Sequence, residues 1–232
     1  MVEAHSAAPS SRGERTRAQL LALAVRRFGE RGFRETSLSA IAREVGISPA
    51  AVYAHFRDKD DLFAAALDHD ATTWLDDAMQ APGTVPAGGS LPQLGPVAQA
   101  AVGSAPSILT WVGFLQRAHA CLADHPLARR VLAGREPEML ARMFDLPASH
   151  RLRTLIADSL RQGQAIGMVR ADIDPPLLAE GIASLVEASL VATVQMSAAE
   201  LLTDDRRRSG VMSLLAAALL PQGAPQPRAS TP

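Results

Sequence analysis

The sequence predicts an all-α protein, a small N-terminal head joined to a larger C-terminal body, and three observations carry that expectation. Of its 232 residues 47% are hydrophobic but only 4% aromatic, and Ala, Leu and Arg, all good helix formers, are abundant. Apolar residues recur at three- and four-residue spacing, and no useful stretch alternates apolar with polar as a half-buried strand would. Charge is also unevenly placed. The formal net charge is −1, yet Ser10 to Lys59 holds ten Arg or Lys against five acids, net +5, leaving −6 for the rest. A basic module attached to an acidic one is the footprint of a segment that meets a polyanion.

Taken in order, residues 1–10 are polar and rich in Ala, Ser and Pro, which predicts a disordered tail. Ser11 to Glu14 matches a capping box, and Leu20, Leu21, Ala24 and Phe28 then recur at helical spacing to about Arg31, where Gly32-Phe33 predicts a stop. Ser37 is placed to cap a second helix with Leu38, Ile41, Ala42 and Val45 inward, and Gly46 falls where a helix end favours a left-handed residue. Ser48 as N-cap, Pro49 at the first helical position and an Ile47/Val52 staple open a third. Two helices about a Gly-bearing turn, here about residues 37–56 of a head spanning 11–58, form a helix-turn-helix whose second helix suits a DNA major groove. A connecting helix over about 59–80 follows, through Leu62, Phe63, Ala66, Leu67 and Trp74.

The run Leu20-Leu21, Ala24, Phe28, Gly32-Phe33, Thr36-Ser37, Ile41-Ala42, Gly46-Ile47-Ser48, Tyr53, Phe56, Lys59 and Leu62 resembles, without a gap, the N-terminal domain of the TetR family of bacterial repressors. It departs at Arg27, where family members often carry Leu; its stem is expected to run along the edge of the core. The resemblance implies that the second helix of the motif enters the major groove. It further implies that Tyr53 and Lys59 hold phosphates while Pro49, Ala50, Ala51, Ala54 and His55 face bases or backbone. Lys59 is the only Lys in the chain. On chemistry alone, Ala50 or Ala51 suits a thymine methyl and Ser39 or Ser48 a base edge. No Asn or Gln stands on the helix, so specificity is expected to lean on these, on Arg43 if it reaches, and on DNA shape. Thr36 and Ser37 complete the expected DNA-facing set. The alternative for Tyr53 is a half-buried place in a plain three-helix core.

The body, residues 81–220, opens with a Pro/Gly-rich loop to Pro96 and a short helix over 97–104. An apolar helix is expected over 106–123, then short helices from Pro126 to Leu132 and over 136–144, and an amphipathic one over 147–167. Asp174-Pro175-Pro176 starts another, with an Ile173/Leu178 staple. Between Gly181 and Met196 the single charge is Glu187, so that helix is expected to be covered on most sides. A capping box at Ser197 to Glu200 predicts a break before a helix ending in Val211 to Leu220, and residues 221–232 form a second polar tail.

Family resemblance implies a ligand pocket in this body. Trp111, Phe114, Leu115, Met139, Met143 and Phe144 could line it, with Arg117 or His119 as a polar contact; ordinary core packing is the alternative for each. No charge is evidently forced inward, which points to an apolar or amphipathic effector. Gly181, Leu185, Ala188, Ser189, Ala192 and Met196, with Val211, Leu214, Leu215 and Ala218, are the expected dimer interface, small residues allowing close approach. A monomer core helix is the alternative.

Catalysis finds little support. The six histidines form no HExxH, and no P-loop or GxGxxG occurs. Cys121 lacks metal-ligand company, and on one helix it points about 200° away from His119. No metal, cofactor or enzymatic activity is expected. A lone Cys, the lack of a signal-peptide core and the lack of a run of about 18 apolar residues point to the cytoplasm and away from a membrane. The expectation is thus a homodimeric regulator, a repressor that binds a palindrome-like double-stranded operator and is released by an unknown small molecule. The rival is an architectural DNA binder without a ligand.

Overall fold

The computed structural model describes residues 12–80, 114, 117–196, 218, 219 and 221. Among these every regular element is helical. Helix α1 spans Arg12–Glu35 and passes the expected stop: Gly32 breaks the helical backbone (φ 86°, ψ 173°), but a further turn resumes beyond it. Helix α2, Leu38–Val45, is capped by Ser37, whose hydroxyl oxygen accepts from Ala40 N at 3.1 Å. It ends in Gly46 at φ 82°, with Ile47 N donating to the Ala42 carbonyl at 3.0 Å, the wrap that satisfies a helix's last carbonyls. Helix α3 is Pro49–Val52 and α4 is Lys59–Gln80.

In the body, residues 117–121 are helical and run into a 3-10 turn at Leu122–Asp124. Helices α5 (Pro126–Leu132), α6 (Pro137–Met143), α7 (Pro147–Ala165) and α8 (Pro175–Gln195) follow. Each opens on proline, which loses nothing at a position whose N–H has no helical partner. The 1–10 tail, the Ser11 cap, the 81–96 loop, the 97–104 helix, the 197–200 capping box and nearly all of 201–232 lie outside the described residues.

The head is built on Leu20, Ala24 and Phe28 of α1, Ile41 and Ala42 of α2, and Val52 and Phe56 around α3, all at most 2% exposed. The first turns of α4 close this core with Leu62 and Phe63. Phe28, Phe33 and Phe63 meet with centroids 4.9–6.2 Å apart, the range of favourable ring pairs. Further along, α4 gives Ala71, Trp74, Leu75 and Ala78 to the body, where α5 and α7 pack on it and α8 packs on α7. One helix therefore serves both cores.

Helix α5 also packs on α1, and there the approach is backbone to backbone. A Cβ built on Gly29 would lie 2.7 Å from Pro126 Cβ, too close for any side chain. The break at Gly32 leaves Phe33 N free to donate to Glu136 Oε1 at 3.2 Å, and Arg130 Nε donates to the same oxygen at 2.7 Å. Behind this contact Asp70 of α4 caps α5 from a distance in sequence. Its Oδ2 accepts from Leu127 N and Ala128 N at 3.0 and 2.8 Å, and its Oδ1 lies 3.1 Å from His125 Nδ1. His125 Nε2 stands 3.2 Å from Asp77 Oδ2.

Two expectations about α8 need correction. It is not covered on most sides: Ala179, Ile182, Ala183, Val186, Leu190 and Thr193 are buried, but Leu177, Leu185 and Met196 are 71%, 59% and 68% exposed. Among the described elements α7, and to a lesser extent α5, pack against it. The helix is also long and apolar enough to cross a membrane by length and composition, contrary to the expectation of no such run. One face nonetheless lies in the protein core, as the inner helix of a folded domain would have it.

Candidate nucleic-acid interface and effector cavity

The outer end of the head is shaped by α2 and α3. Ser39, Arg43, Ser48, Pro49, Ala50 and Ala54 are exposed there, Ala51 and His55 half-buried, and Tyr53 is 58% exposed, which removes the core alternative for Tyr53. The α-helical part of the second motif helix is shorter than expected. After Val52 the chain tightens into three-residue turns (Tyr53 N to Ala50 O, 3.2 Å; His55 N to Val52 O, 2.9 Å), which turn Phe56 into the core. What protrudes is one helical turn with a short, small-residue surface: Ser48, Pro49, Ala50, and Tyr53 beside them.

The serines are partly committed. Ser37 and Ser48 each accept a backbone N–H as N-caps, Ser48 from Ala51 N at 3.2 Å, and each keeps a hydroxyl proton to donate. Arg43 lies along α2, with Nε on the Ser39 carbonyl at 3.2 Å. Lys59 Nζ sits 4.4 Å from the Phe33 ring centre and 3.5 Å from the Arg34 carbonyl, a cation–π seat at the corner of α1 and α4. One of the expected DNA-facing residues is misplaced. Thr36 is 5% exposed, and its Oγ1 lies 2.8 Å from the Gly32 carbonyl, so it secures the break in α1 rather than facing outward.

Arg27, the departure from the family pattern, is anchored by charge. Its Nη2 lies 2.8 Å from Glu44 Oε1 and its Nη1 3.0 Å from Glu30 Oε2, while Arg26 Nη2 reaches Glu44 at 2.9 Å. The hydrogen bond from Arg27 holds the Glu44 carboxyl below its usual pKa and raises that of Arg27 in return. The two pairs to Glu44 tie α2 to α1 at the exposed rim of the head.

In the body a narrow cavity of about 50 Å³ lies between α4, α7, α8 and the segment at Phe114. Of the expected pocket residues it is lined by Phe114, Met143 and Phe144. Met139 is buried but not on this wall, and Arg117 is turned away, Nε donating to the Ala78 carbonyl at 2.8 Å. His119 is not on the wall either, although its Nδ1 is buried without a partner. Trp111 and Leu115 lie outside the described residues. The expectation of no inward charge is wrong. Glu187 lines the cavity, with burial pushing its carboxyl pKa up against the pull of Arg153 and Ser149. A lone acid in an apolar sixteen-residue stretch was the available signal; its direction depended on how α8 rotates against α7.

The expected dimer residues fall on one face. Gly181, Leu185, Ala188 and Met196 are exposed and Ser189 and Ala192 half-buried, a stripe at helical spacing opposite the buried side of α8. Ala218 is half-buried; Val211, Leu214 and Leu215 lie outside the described residues. Among the described residues no group of His, Cys, Asp and Glu is arranged to hold a metal ion.

Comparison with known proteins agrees with this architecture. Residues 20–66 match the model of the bacterial regulatory proteins of the tetR family. The HTH-type transcriptional regulator AcrR of Shigella flexneri is 43% identical over 51 residues, 22% of this chain and 24% of that protein. TtgR of Pseudomonas putida is 42% identical over 55 residues, 24% of this chain and 26% of its own length. The match thus spans about a quarter of these curated relatives. Among solved structures, SmeT, the repressor of the Stenotrophomonas maltophilia multidrug efflux pump SmeDEF, aligns over 93% of this chain and 96% of its own, at 20% identity and TM-score 0.53. The fatty acid degradation regulator FadR of Bacillus halodurans aligns over 84% of this chain and 93% of its own, at 14% identity and TM-score 0.54. At such identities the likeness is one of fold.

Proposed function

We propose that the chain, whose residues 20–66 match the model of the bacterial regulatory proteins of the tetR family, is a cytoplasmic, dimeric, ligand-responsive repressor of that family. The observation that carries the proposal is the exposed surface of α3. Ser48, Pro49, Ala50 and Tyr53 protrude from a head that is rigidly cored, capped at both motif helices and net basic. Tyr53 and Lys59 would hold phosphates and so give salt-dependent affinity. Ala50 and Ala51 would meet thymine methyls, with Ser39, Ser48 and Arg43 at base edges or backbone.

The uncovered stripe of α8 supports a two-fold pairing of helices across a dimer, which would present two heads to a palindrome-like operator. The cavity beside α4 supports a small-molecule effector with an apolar body. An effector that binds one arrangement of the heads better than another would shift operator affinity by that difference in free energy. No catalytic role is assigned.

The test is a salt titration of binding to the DNA upstream of the neighbouring gene, against a scrambled duplex of equal length. Preference for the upstream DNA by at least 100-fold is expected. Equal affinity for both would favour the architectural reading. Tyr53→Ala should weaken binding to all sequences alike.

A further inference from the structure

One acid of the body is set apart from its other charges. Glu187 has a side chain only 12% exposed. It lies on the wall of the cavity among Trp74, Leu75, Phe114, Met143 and Leu190. Its Oε1 is buried and has no hydrogen-bond partner. The cation beside it does not answer this. Arg153 Nη2 stands 3.7 Å from Glu187 Oε2, while Nη1 and Nη2 donate to the Phe144 carbonyl at 3.1 and 3.0 Å; Nε lies 2.9 Å from Glu180 Oε2 but makes no hydrogen bond. Ser149, also on the wall and close enough to Glu187 to favour its ionised form, donates to the Met143 carbonyl at 2.9 Å. The carboxylate has been taken out of water and only partly compensated, a costly arrangement unless something else completes it.

We infer that this cavity selects an amphipathic cation, an organic ammonium whose charged N–H sits on Glu187 Oε1 while an alkyl or aryl body lies against the apolar walls. The inference rests on the effector reading above and names the chemistry of that effector. A protonated amine supplies the donor that Oε1 lacks and the charge that dehydration has left unbalanced. An alcohol brings a donor without the charge. A carboxylate brings repulsion. Trp74 adds an aromatic wall whose orientation is fixed, its indole Nε1 donating to the Ala118 carbonyl at 2.6 Å. Met143, an unbranched side chain on the wall, is of the type that adapts its shape to the body it packs against.

The experiment uses three probes with one body and three head groups: hexylamine, 1-hexanol and hexanoate, titrated calorimetrically into the full chain at pH 7. Wild type should bind the amine at least tenfold tighter than the alcohol, with hexanoate weakest. In Glu187→Gln the amine should fall to within threefold of the alcohol, while the alcohol's affinity stays as in wild type, which shows the cavity intact. The inference is overturned if the alcohol or hexanoate matches the amine in wild type, if the amine's advantage survives in the variant, or if no probe binds saturably. Operator binding, measured on the same preparations without probe, reports separately on the regulator reading. Specific DNA binding with no amine preference would remove the cation alone, whereas absence of specific DNA binding would remove the regulator.

Discussion

In the head, the described ion pairs stay at the rim. Arg26 and Arg27 meet Glu44 and Glu30, and Arg57 meets Asp61, with at least one partner of each pair well exposed. The interior holds Leu, Ile, Ala, Val and Phe. The body has surface pairs too, such as Arg151 with Asp76, but it also carries charge inward: Asp70 against His125, Arg130 against Glu136, Arg153 beside Glu187. An apolar core tolerates no alternative pairing and gives one rigid shape. Buried polar groups are directional, so they specify partners but also leave sites where a new partner can bind. The head thus presents a fixed surface, whereas the body holds inward charges whose partners come from several helices.

Four substitutions would sharpen or break that contrast. The largest effect is expected from Phe28→Ala, which empties the centre of the head's aromatic cluster and should cost about 3–5 kcal/mol. Its thermal unfolding should fall equally at low and high salt; a strong salt dependence would mean that charge, not packing, holds the head. Next, Asp70→Ala removes the acceptor of two buried N–H groups and a neighbour of His125, at about 2–4 kcal/mol. A melting temperature lowered by roughly 10 °C is expected. A change too small to measure would show that water replaces the carboxylate and that the α5 cap is not structural.

Glu187→Gln should act in the opposite direction. The folded state raises this acid's pKa above its ordinary value of 4.5, so the native protein binds the proton more tightly than the unfolded chain does. Stability contributed by that proton is present at low pH and lost as pH rises through the raised value. The glutamine variant should therefore melt above wild type at pH 7, and the gap should close as pH falls toward 4.5. A gap independent of pH would contradict the burial of an ionised carboxylate. The smallest effect belongs to Glu44→Ala. Its pairs with Arg26 and Arg27 are solvent-screened, so the melting temperature should barely move, while operator affinity, if α2 is allowed to swing on α1, should fall measurably. Unchanged affinity would mean that apolar packing alone sets the angle.

Local signals in the sequence were sufficient for most of the fold. Ser37, Gly46, Ser48 and Pro49 act within a turn of themselves, and their consequences are visible without the rest of the chain. So were the prolines that open the body's helices, and the α8 stripe from Gly181 to Met196, which is continuous along one helix. What escaped were partnerships across long separations. Nothing near Asp70 announces that it caps a helix 57 residues away. Thr36 lies beyond the stop expected at Gly32-Phe33, but α1 continues to Glu35 and brings its hydroxyl onto the Gly32 and Arg27 carbonyls. Glu187 could be counted but not aimed, since its direction is set by α7. The turn after Val52 was likewise invisible, because the pull on Phe56 comes from the whole head core.

The meeting of α1 with α5 has a mechanical consequence. Two helices that touch through long side chains have play between them, since a rotamer change takes up small displacements. Gly29 and Pro126 have no such freedom. Their contact is made by atoms of the main chain and a closed ring, with no space for even a methyl group. A push on α5 toward the head cannot be absorbed at that point and passes to the axis of α1. The joint has almost no backlash in compression, whereas in the opposite sense it is retained by the bond from Phe33 N to Glu136 and by packing around it.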